Sequence, residues 1–421
     1  MALRVSSSSP ADLRAPDSEA GAAIRVLRPR RAAPADAVRP TRAEVNLAHL
    51  RHNLRVVSRC VADGAARPAQ VWGVLKADAY GHGAPAVART LERAGISGLC
   101  VALLEEGIEL RAAGIRAPIL VMGGCHGLRR DGLAELFAND LVPVVYDAGQ
   151  IERIGAFARF EAEGPLRVHL KVDTGMGRLG VMPADLPGVV AALAQHPEVR
   201  LDGLMTHFAC ADAPDEASMT EQLQVFAGVE ASLARAGHAP RVRHAANSAA
   251  TLRSPAARFD LVRPGIALFG VSPFDAASTM GRDLKPVMRV RTEIVALRSL
   301  PAGARIGYGH TWKAERPSVI ATVPMGYADG LSRQLGNRGH ALVRGRRAPI
   351  AGAVSMDLTM LDVTDVPGAR EGDEVVFLGP QDGPLGRDSI GAAEIASLSG
   401  GIPWEVLTSI SRRVPRFYRE P

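Results

Sequence analysis

The chain has 421 residues, room for two domains, and its 47% apolar and 22% charged residues exclude a largely disordered protein. Its formal charge is +6, but residues 1–40 hold seven Arg against four acidic residues, so half of the excess sits in one terminal stretch. With aromatics at 4% and no nucleic-acid motif, that charge does not argue for a nucleic-acid partner.

Residues 1–40 are rich in Ala, Arg, Pro and Ser and lack apolar periodicity, so they read as a disordered extension. The Arg30-Arg31 pair is not followed by an apolar stretch, which argues against a signal peptide, and no run of about 18 apolar residues predicts a membrane span. Cys60, Cys100, Cys125 and Cys210 show neither metal-like nor redox-like spacing. A reducing cytoplasm suits them, and no metal site is expected.

From Glu44 the pattern turns helical, with Leu47, Leu50, Leu54 and Val57 on one face. Strands are then predicted at Val71–Leu75, Gly98–Leu103, Ile119–Met122, Val142–Tyr146, Arg167–Val172, Gly203–His207, Val242–Ala246 and Ile266–Phe269. Helical segments such as Glu105–Ala113, Ala148–Glu161 and Glu216–Ala236 separate them. That alternation predicts an α/β fold, a (β/α)8 barrel over residues 41–282 in preference to an open sheet. Beyond about residue 283 strand follows strand, at Val287–Leu297, Val319–Pro324, Ala341–Val343, Leu358–Val363 and Glu374–Leu378, with one late helix at Ala392–Ser399. Residues 283–421 are therefore expected to form a mainly β domain.

Chemistry-bearing residues recur at the predicted strand ends, the mouth of such a barrel. Lys76 follows Val71–Leu75 in the run Lys-Ala-Asp-Ala-Tyr80-Gly-His-Gly, and a lysine attacks an aldehyde only as the neutral amine, which burial or nearby cations must favour. Lys171-Val-Asp-Thr-Gly-Met-Gly-Arg178, Thr206-His207-Phe208, His244-Ala-Ala-Asn247-Ser248 and Arg263-Pro-Gly265-Ile266 occupy similar places. Each alone has a plain structural reading: a surface lysine, a Gly turn with a weak ion pair, a satisfied histidine, an Arg-Pro turn. Ser248 opens a helical segment, a suitable place for a phosphate. The β domain adds Ile306-Gly-Tyr308-Gly-His-Thr-Trp312, Gly326-Tyr327-Ala-Asp-Gly and Ser355-Met356-Asp357.

Lys76 to Gly83 resembles the cofactor-lysine motif of the alanine racemases, and the resemblance continues through the other motifs from about Ala43 to Tyr418. It implies pyridoxal 5'-phosphate carried on Lys76, with Tyr80, His207, Asn247, Ser248, Gly265, Ile266 and Tyr418 around the cofactor. Arg263, supported by His244, would face the pyridine nitrogen. Enzymes of this cofactor place a carboxylate or an arginine there, and a permanent cation disfavours protonation of that nitrogen. The resemblance further implies that Arg178 lies on the substrate-carboxylate side, oriented by a Lys171 that is often carbamylated, and that Met356 helps to hold that carboxylate. Tyr327 and Asp357 would narrow the entrance. Tyr308 would be the second base, opposite Lys76, acting in the partner subunit of a homodimer that makes D-alanine for peptidoglycan. Many relatives carry Cys at the position of Ser355, a departure that removes no acid, base or cofactor contact. Three alternatives stand beside this reading: a racemase of broader small amino-acid range, a barrel-type decarboxylase, and a noncatalytic protein binding the same cofactor. Arg263 and Tyr308 disfavour the second, and the long β domain disfavours the third.

Overall fold

The computed structural model describes residues 38–124, 130–161, 164–275 and 278–420; the expectations for residues 1–37 and for Cys125 lie outside them. The first element corrects the sequence reading. Arg42–Asn46 is a strand, β1, and the helix α1 (Leu47–Ala62) begins only after it. The 3.6-residue pattern starts at Leu47. Asn46 ends the strand and caps the helix, its side chain accepting the His49 N–H at 3.1 Å.

The barrel follows as β2 (Gln70–Val74), α2 (Lys76–Gly81), α3 (Ala84–Arg93), β3 (Gly98–Val101), α4 (Leu104–Ala112) and β4 (Ile119–Val121). It continues as α5 (Arg130–Ala138), β5 (Leu141–Val145), α6 (Ala148–Glu161), β6 (Leu166–Lys171), α7 (Leu186–Gln195) and β7 (Val199–Met205). It ends with α8 (Ala217–Arg235), β8 (Val242–His244), α9 (Ser248–Arg253) and β9 (Leu261–Val262). Strands β2 to β8 pair in sequence, all parallel, and β9 pairs with β2. Between β8 and β9 the ring is joined by the Asp260 N–H on the Arg243 carbonyl and the Arg263 N–H on the Ala246 carbonyl, at 3.1 and 2.9 Å. Val, Ile and Leu fill the strands, as burial on both faces demands.

Seven of the eight predicted barrel strands overlap an observed one; Ile266–Phe269 does not. It is a turn of 3-10 helix, fully buried and ended by Gly270 at φ 82°, and the eighth strand is Leu261–Val262 just before it. A four-residue apolar run carries no periodicity that separates strand from buried helix.

The remaining chain forms β10 (Met288–Glu293), β11 (Ala296–Leu300), β12 (Arg305–Ile306), β13 (Trp312–Lys313), β14 (Ser318–Val323), β15 (His340–Val343) and β16 (Arg346–Pro349). Then come β17 (Thr359–Asp362), β18 (Glu374–Gly383), β19 (Gly386–Ile390), α10 (Ala392–Ser399), α11 (Pro403–Ser409) and β20 (Arg416–Arg419). The larger sheet runs β16-β15-β18-β10-β1-β20, with β19 on β18; β11, β14 and β17 form a second. The single strand predicted over Val287–Leu297 is therefore two, in different sheets. The switch comes at Ile294, whose N–H bonds the Asp373 carbonyl, and Val295, whose N–H bonds the Thr322 carbonyl.

Strand β1 lies inside the larger sheet, antiparallel to β10 and parallel to β20, so Val45 stands opposite Tyr418. At its centre the buried carboxylate of Glu44 meets Arg289 at 3.0 Å, Arg291 at 2.9 Å and Arg419 at 2.7 Å. The two ends of the described chain are thereby fastened to the middle, beside the barrel mouth. Among the described residues no helix is long and apolar enough to cross a membrane.

Candidate active site at the barrel mouth

Strand β2 delivers Lys76, and the backbone then does something unusual. Ala77, Asp78, Ala79 and Tyr80 all have φ of 53–55°, a left-handed turn of four residues that each carry a Cβ. Such a conformation costs about 1–2 kcal/mol per residue, so surrounding contacts must hold it. Glu106 accepts the Ala77 N–H at 2.6 Å, and its other oxygen accepts the N–H groups of Ala102 and Leu103. Asp78 accepts the Ala84 N–H at 2.8 Å and so ties the turn to α3. His82, fully buried, places Nδ1 2.9 and 3.0 Å from the Tyr80 and Ala79 carbonyls, where an N–H is the partner both require. Burial lowers the His82 pKa to about 4, so its imidazole is neutral. Its ring stacks on Phe269, at 4.5 Å between centroids, the residue that the 3-10 turn places there.

The strand ends enclose a cavity of about 220 Å³. Eight of the expected residues line it: Lys76, Tyr80, His207, Asn247, Ser248, Arg263, Gly265 and Ile266. Met122, Asp212, Pro273 and Trp404 line it too; nothing in their local sequence marked them. Asn247 caps α9 through the Ala250 N–H, and Ser248 accepts the N–H groups of Gly265 and Ala267 at 2.9 and 3.3 Å. A Cβ on Gly265 would lie 2.2 Å from the Tyr80 hydroxyl, and one on Gly83 would lie 1.9 Å from that of Tyr418. Both glycines are thus set by close approach of a tyrosine. Burial raises the Tyr80 pKa, so this phenol stays protonated as a donor.

Arg263 is buried, and its donors are largely committed. Nη1 bonds Nδ1 of His244 at 2.7 Å, while Nη2 donates to the carbonyls of Thr206 and Ala245 at 2.8 and 3.1 Å. Among the described residues no carboxylate pairs with it. Burial lowers its pKa to about 10, which leaves it a cation at neutral pH.

Three cations converge on the mouth. Lys171 is buried and Lys76 exposed, and Arg178 lies near enough to act on both. Partial desolvation first and the Arg178 charge second lower the Lys76 pKa, against the opposing charge of Glu106. Burial, then Arg178 and Arg263, bring that of Lys171 to about 8. Burial and the same cations hold His207 near 3, so it is neutral. The loop that carries Arg178 is built on Asp173, whose Oδ1 accepts the N–H groups of Gly175, Met176 and Gly177 at 2.9–3.1 Å. The Asp-Thr-Gly run is the signal by which sequence could have found this turn.

The β-domain candidates do not join this cavity. Tyr308 sits on an exposed 3-10 turn, 71% accessible, and Met356 is 52% accessible. Tyr327 and Met356 lie together, with the N–H groups of Tyr327 and Ala328 on the carbonyls of Ser355 and Met356. Asp357 receives Arg413 at 2.6 Å. Beneath them the fully buried Asp329 accepts the Gly326 N–H at 3.1 Å and is clamped by Arg39, a residue the sequence placed in the disordered extension.

Two family models match the chain: "Alanine racemase, N-terminal domain" over residues 45–273 and "Alanine racemase, C-terminal domain" over residues 287–418. An alanine racemase of Sorangium cellulosum is 72% identical over 384 residues, covering 91% of this chain and 100% of that one. One of Halothermothrix orenii is 42% identical, covering 90% and 97%. The crystal structure of alanine racemase from Streptomyces lavendulae superposes with a TM-score of 0.82 at 36% identity, covering 91% of this chain and 98% of that one. That from Bacillus anthracis with bound L-Ala-P gives 0.82 at 33%, covering 91% and 95%.

Proposed function

The chain belongs to the alanine racemase family, and we propose that it interconverts L- and D-alanine with pyridoxal 5'-phosphate as cofactor and Lys76 and Tyr308 as the two bases. The observation that carries this reading is the cavity itself. A lysine amine of lowered pKa stands at the end of β2, a cation that no described carboxylate pairs stands at the end of the neighbouring β9, and a Tyr80, Ser248 and Gly265 cradle closes the remainder.

These residues fit the cofactor. Lys76 would carry it, Tyr80, Ser248, Gly265 and Ile266 would hold its phosphate with Tyr418 nearby, His207 and Asn247 would line its sides, and Arg263 would face its ring nitrogen. When bound, pyridoxal phosphate draws electron density from Cα of the attached amino acid and so acidifies the Cα–H. Arg263, a cation held by His244, would face the ring nitrogen of the bound cofactor and disfavour its protonation, and so would limit that withdrawal. Arg178 binds on the carboxylate side, helped by Met356, and a carbamylated Lys171 would orient it.

Inversion needs a proton removed from one face of Cα and returned to the other. Nζ of Lys76 serves the D-face and the phenol of Tyr308 the L-face. Tyr308 does not reach the cavity of its own chain, and Lys76 and Arg178 stand exposed. The site is thus completed by Tyr308 and Met356 of the partner subunit in a homodimer, with Tyr327 and Asp357 narrowing the entrance. In the cell the enzyme would act in the cytoplasm and supply D-alanine to peptidoglycan.

A mixing experiment tests both the bases and the dimer. Lys76→Ala and Tyr308→Phe, each inactive alone, are unfolded together and refolded. A hybrid dimer has one site with Lys76 and Tyr308 both intact, so about a quarter of wild-type racemisation should return. No recovery from well-folded mixed dimers would place both residues in one chain's site and overturn the reading.

A further inference from the structure

Behind Arg263 lies a histidine that neither the motifs nor the mechanism uses. His244 Nε2 is 2.8 Å from Nδ1 of His169, on β6, and both rings are buried. The ring planes meet edge to face, at 64° with centroids 5.0 Å apart. His169 shares a face of β6 with Lys171, two residues on, by the alternation of the strand. The β6–β7 register shifts between Val168 and His169, and opposite it stands Gly203, where a Cβ would lie 2.5 Å from His169 Nδ1. A strand irregularity and a missing side chain therefore make room for this one ring.

The proton positions along the row follow from chemistry. A guanidinium has donors and no acceptor, so His244 Nδ1 accepts from Arg263. His244 then carries its hydrogen on Nε2 and donates it to His169 Nδ1. His169, in turn, must carry its own hydrogen on Nε2. Burial first keeps both imidazoles neutral; Arg263 acts in the same direction on each, while Asp202 opposes it at His169. The other charged group facing His169 is Arg167, and the ring of Trp72 lies 6.2 Å away.

We propose that His169 is a positioning residue for racemisation: its Nδ1 lone pair holds His244 in the one tautomer that presents an acceptor to Arg263, and so fixes the guanidinium plane. Without that acceptor the His244 N–H is unpaired in the core, and the alternative tautomer would set two donors against each other at Arg263, swinging the guanidinium out of line. This rests on the reading that Arg263 faces the cofactor nitrogen, and it extends the supporting row by one residue.

The test compares His169→Leu with His169→Asn in the cofactor-loaded enzyme, Asn keeping an acceptor where Nδ1 was. His169→Leu should lower kcat about tenfold with KM changed less than twofold, and His169→Asn should recover most of that loss. Nitrogen NMR of histidine-labelled protein supplies an independent readout. Wild type should show His169 and His244 both neutral with the hydrogen on Nε2, the His244 signals persisting in His169→Asn and changing in His169→Leu. Wild-type kcat in the Leu variant, equal losses in both variants, or a hydrogen on His169 Nδ1 would each overturn the proposal. Should the Leu variant fail to fold, the wild-type spectrum and the Asn variant still decide it. Failure of the subunit-mixing experiment, by contrast, would leave the two tautomers unaffected and count against the two-base reading alone.

Discussion

Arg39 grips Asp329 across 290 residues of sequence, with Nη2 2.6 Å from Oδ1 and Nη1 3.0 Å from Oδ2. Asp329 has no exposed surface, and from its loop the contacts run on to Tyr327, to Met356 through its carbonyl, and to Asp357 through Arg413. A residue just ahead of the first strand thus braces the loops proposed to complete the neighbouring active site.

Arg39→Ala removes the bidentate partner of a buried carboxylate and leaves Arg413 at 3.5 Å as its remaining cation. A destabilisation of about 2–4 kcal/mol is expected, with a rise in KM larger than the fall in kcat because the loops, not the bases, lose their support. Denaturant unfolding and steady-state racemisation measure the two effects. Arg39→Lys should recover part of the stability, since a point charge lacks the fork geometry.

Glu44 anchors the larger sheet of the second domain through Arg289, Arg291 and Arg419. Glu44→Ala removes the buried carboxylate that these cations share, leaving Arg289 and Arg291 to Glu374 and Arg419 to solvent, and a loss of about 1–3 kcal/mol is expected by urea denaturation. An unchanged midpoint would mean that solvent, not Glu44, balances them.

Gly265→Ala places a Cβ 2.2 Å from the Tyr80 hydroxyl and must displace it. Titration of apoprotein with pyridoxal phosphate should show binding at least about tenfold weaker, with Tyr80→Phe in the same chain relieving part of the defect. Equal affinities in wild type and Gly265→Ala would show that this cradle does not touch the cofactor.

Lys171 gives a pH signature. Its folded pKa, lowered by burial and then by Arg178 and Arg263, is about 8, whereas an unfolded lysine titrates near its usual value of about 10.4. Between those values the unfolded chain binds the extra proton, so stability rises with pH across that window. Below it the penalty of the buried ammonium is fully present. In carbon dioxide-free buffer, Lys171→Met should remove that rise. The same lowered pKa supplies neutral amine for carbamylation, in which an N–C bond to carbon dioxide forms and a proton leaves. With 13C-labelled bicarbonate, one carbamate resonance per chain is expected, absent in Lys171→Met; its absence from wild type would dismiss the carbamate.

The barrel and most of the site could be read ahead of the structure because both are recorded in local order. Apolar runs alternating with amphipathic segments specify β/α units, and the mouth residues follow their strands directly, as Lys76 follows β2 and Arg263 follows β9. The misreadings share a cause. Ile266–Phe269 and the stretch around Ile294 are apolar runs whose conformation is chosen by hydrogen-bond partners far along the chain. Arg42–Asn46 is a strand because β10 and β20 lie on either side of it.

By itself, then, the sequence determined most of the side chains that gather at the mouth, since strand period and loop position place those at the strand ends, whereas Trp404 is brought there from α11 by the tertiary fold alone. Only the tertiary structure decided how they are held: the left-handed turn after Lys76, the tautomers of His244 and His169 imposed by Arg263, and the clamp of Arg39 on Asp329. Each of these is a high-energy or direction-dependent arrangement stable only when distant groups supply donors and acceptors in place, and that information exists in no single stretch of chain.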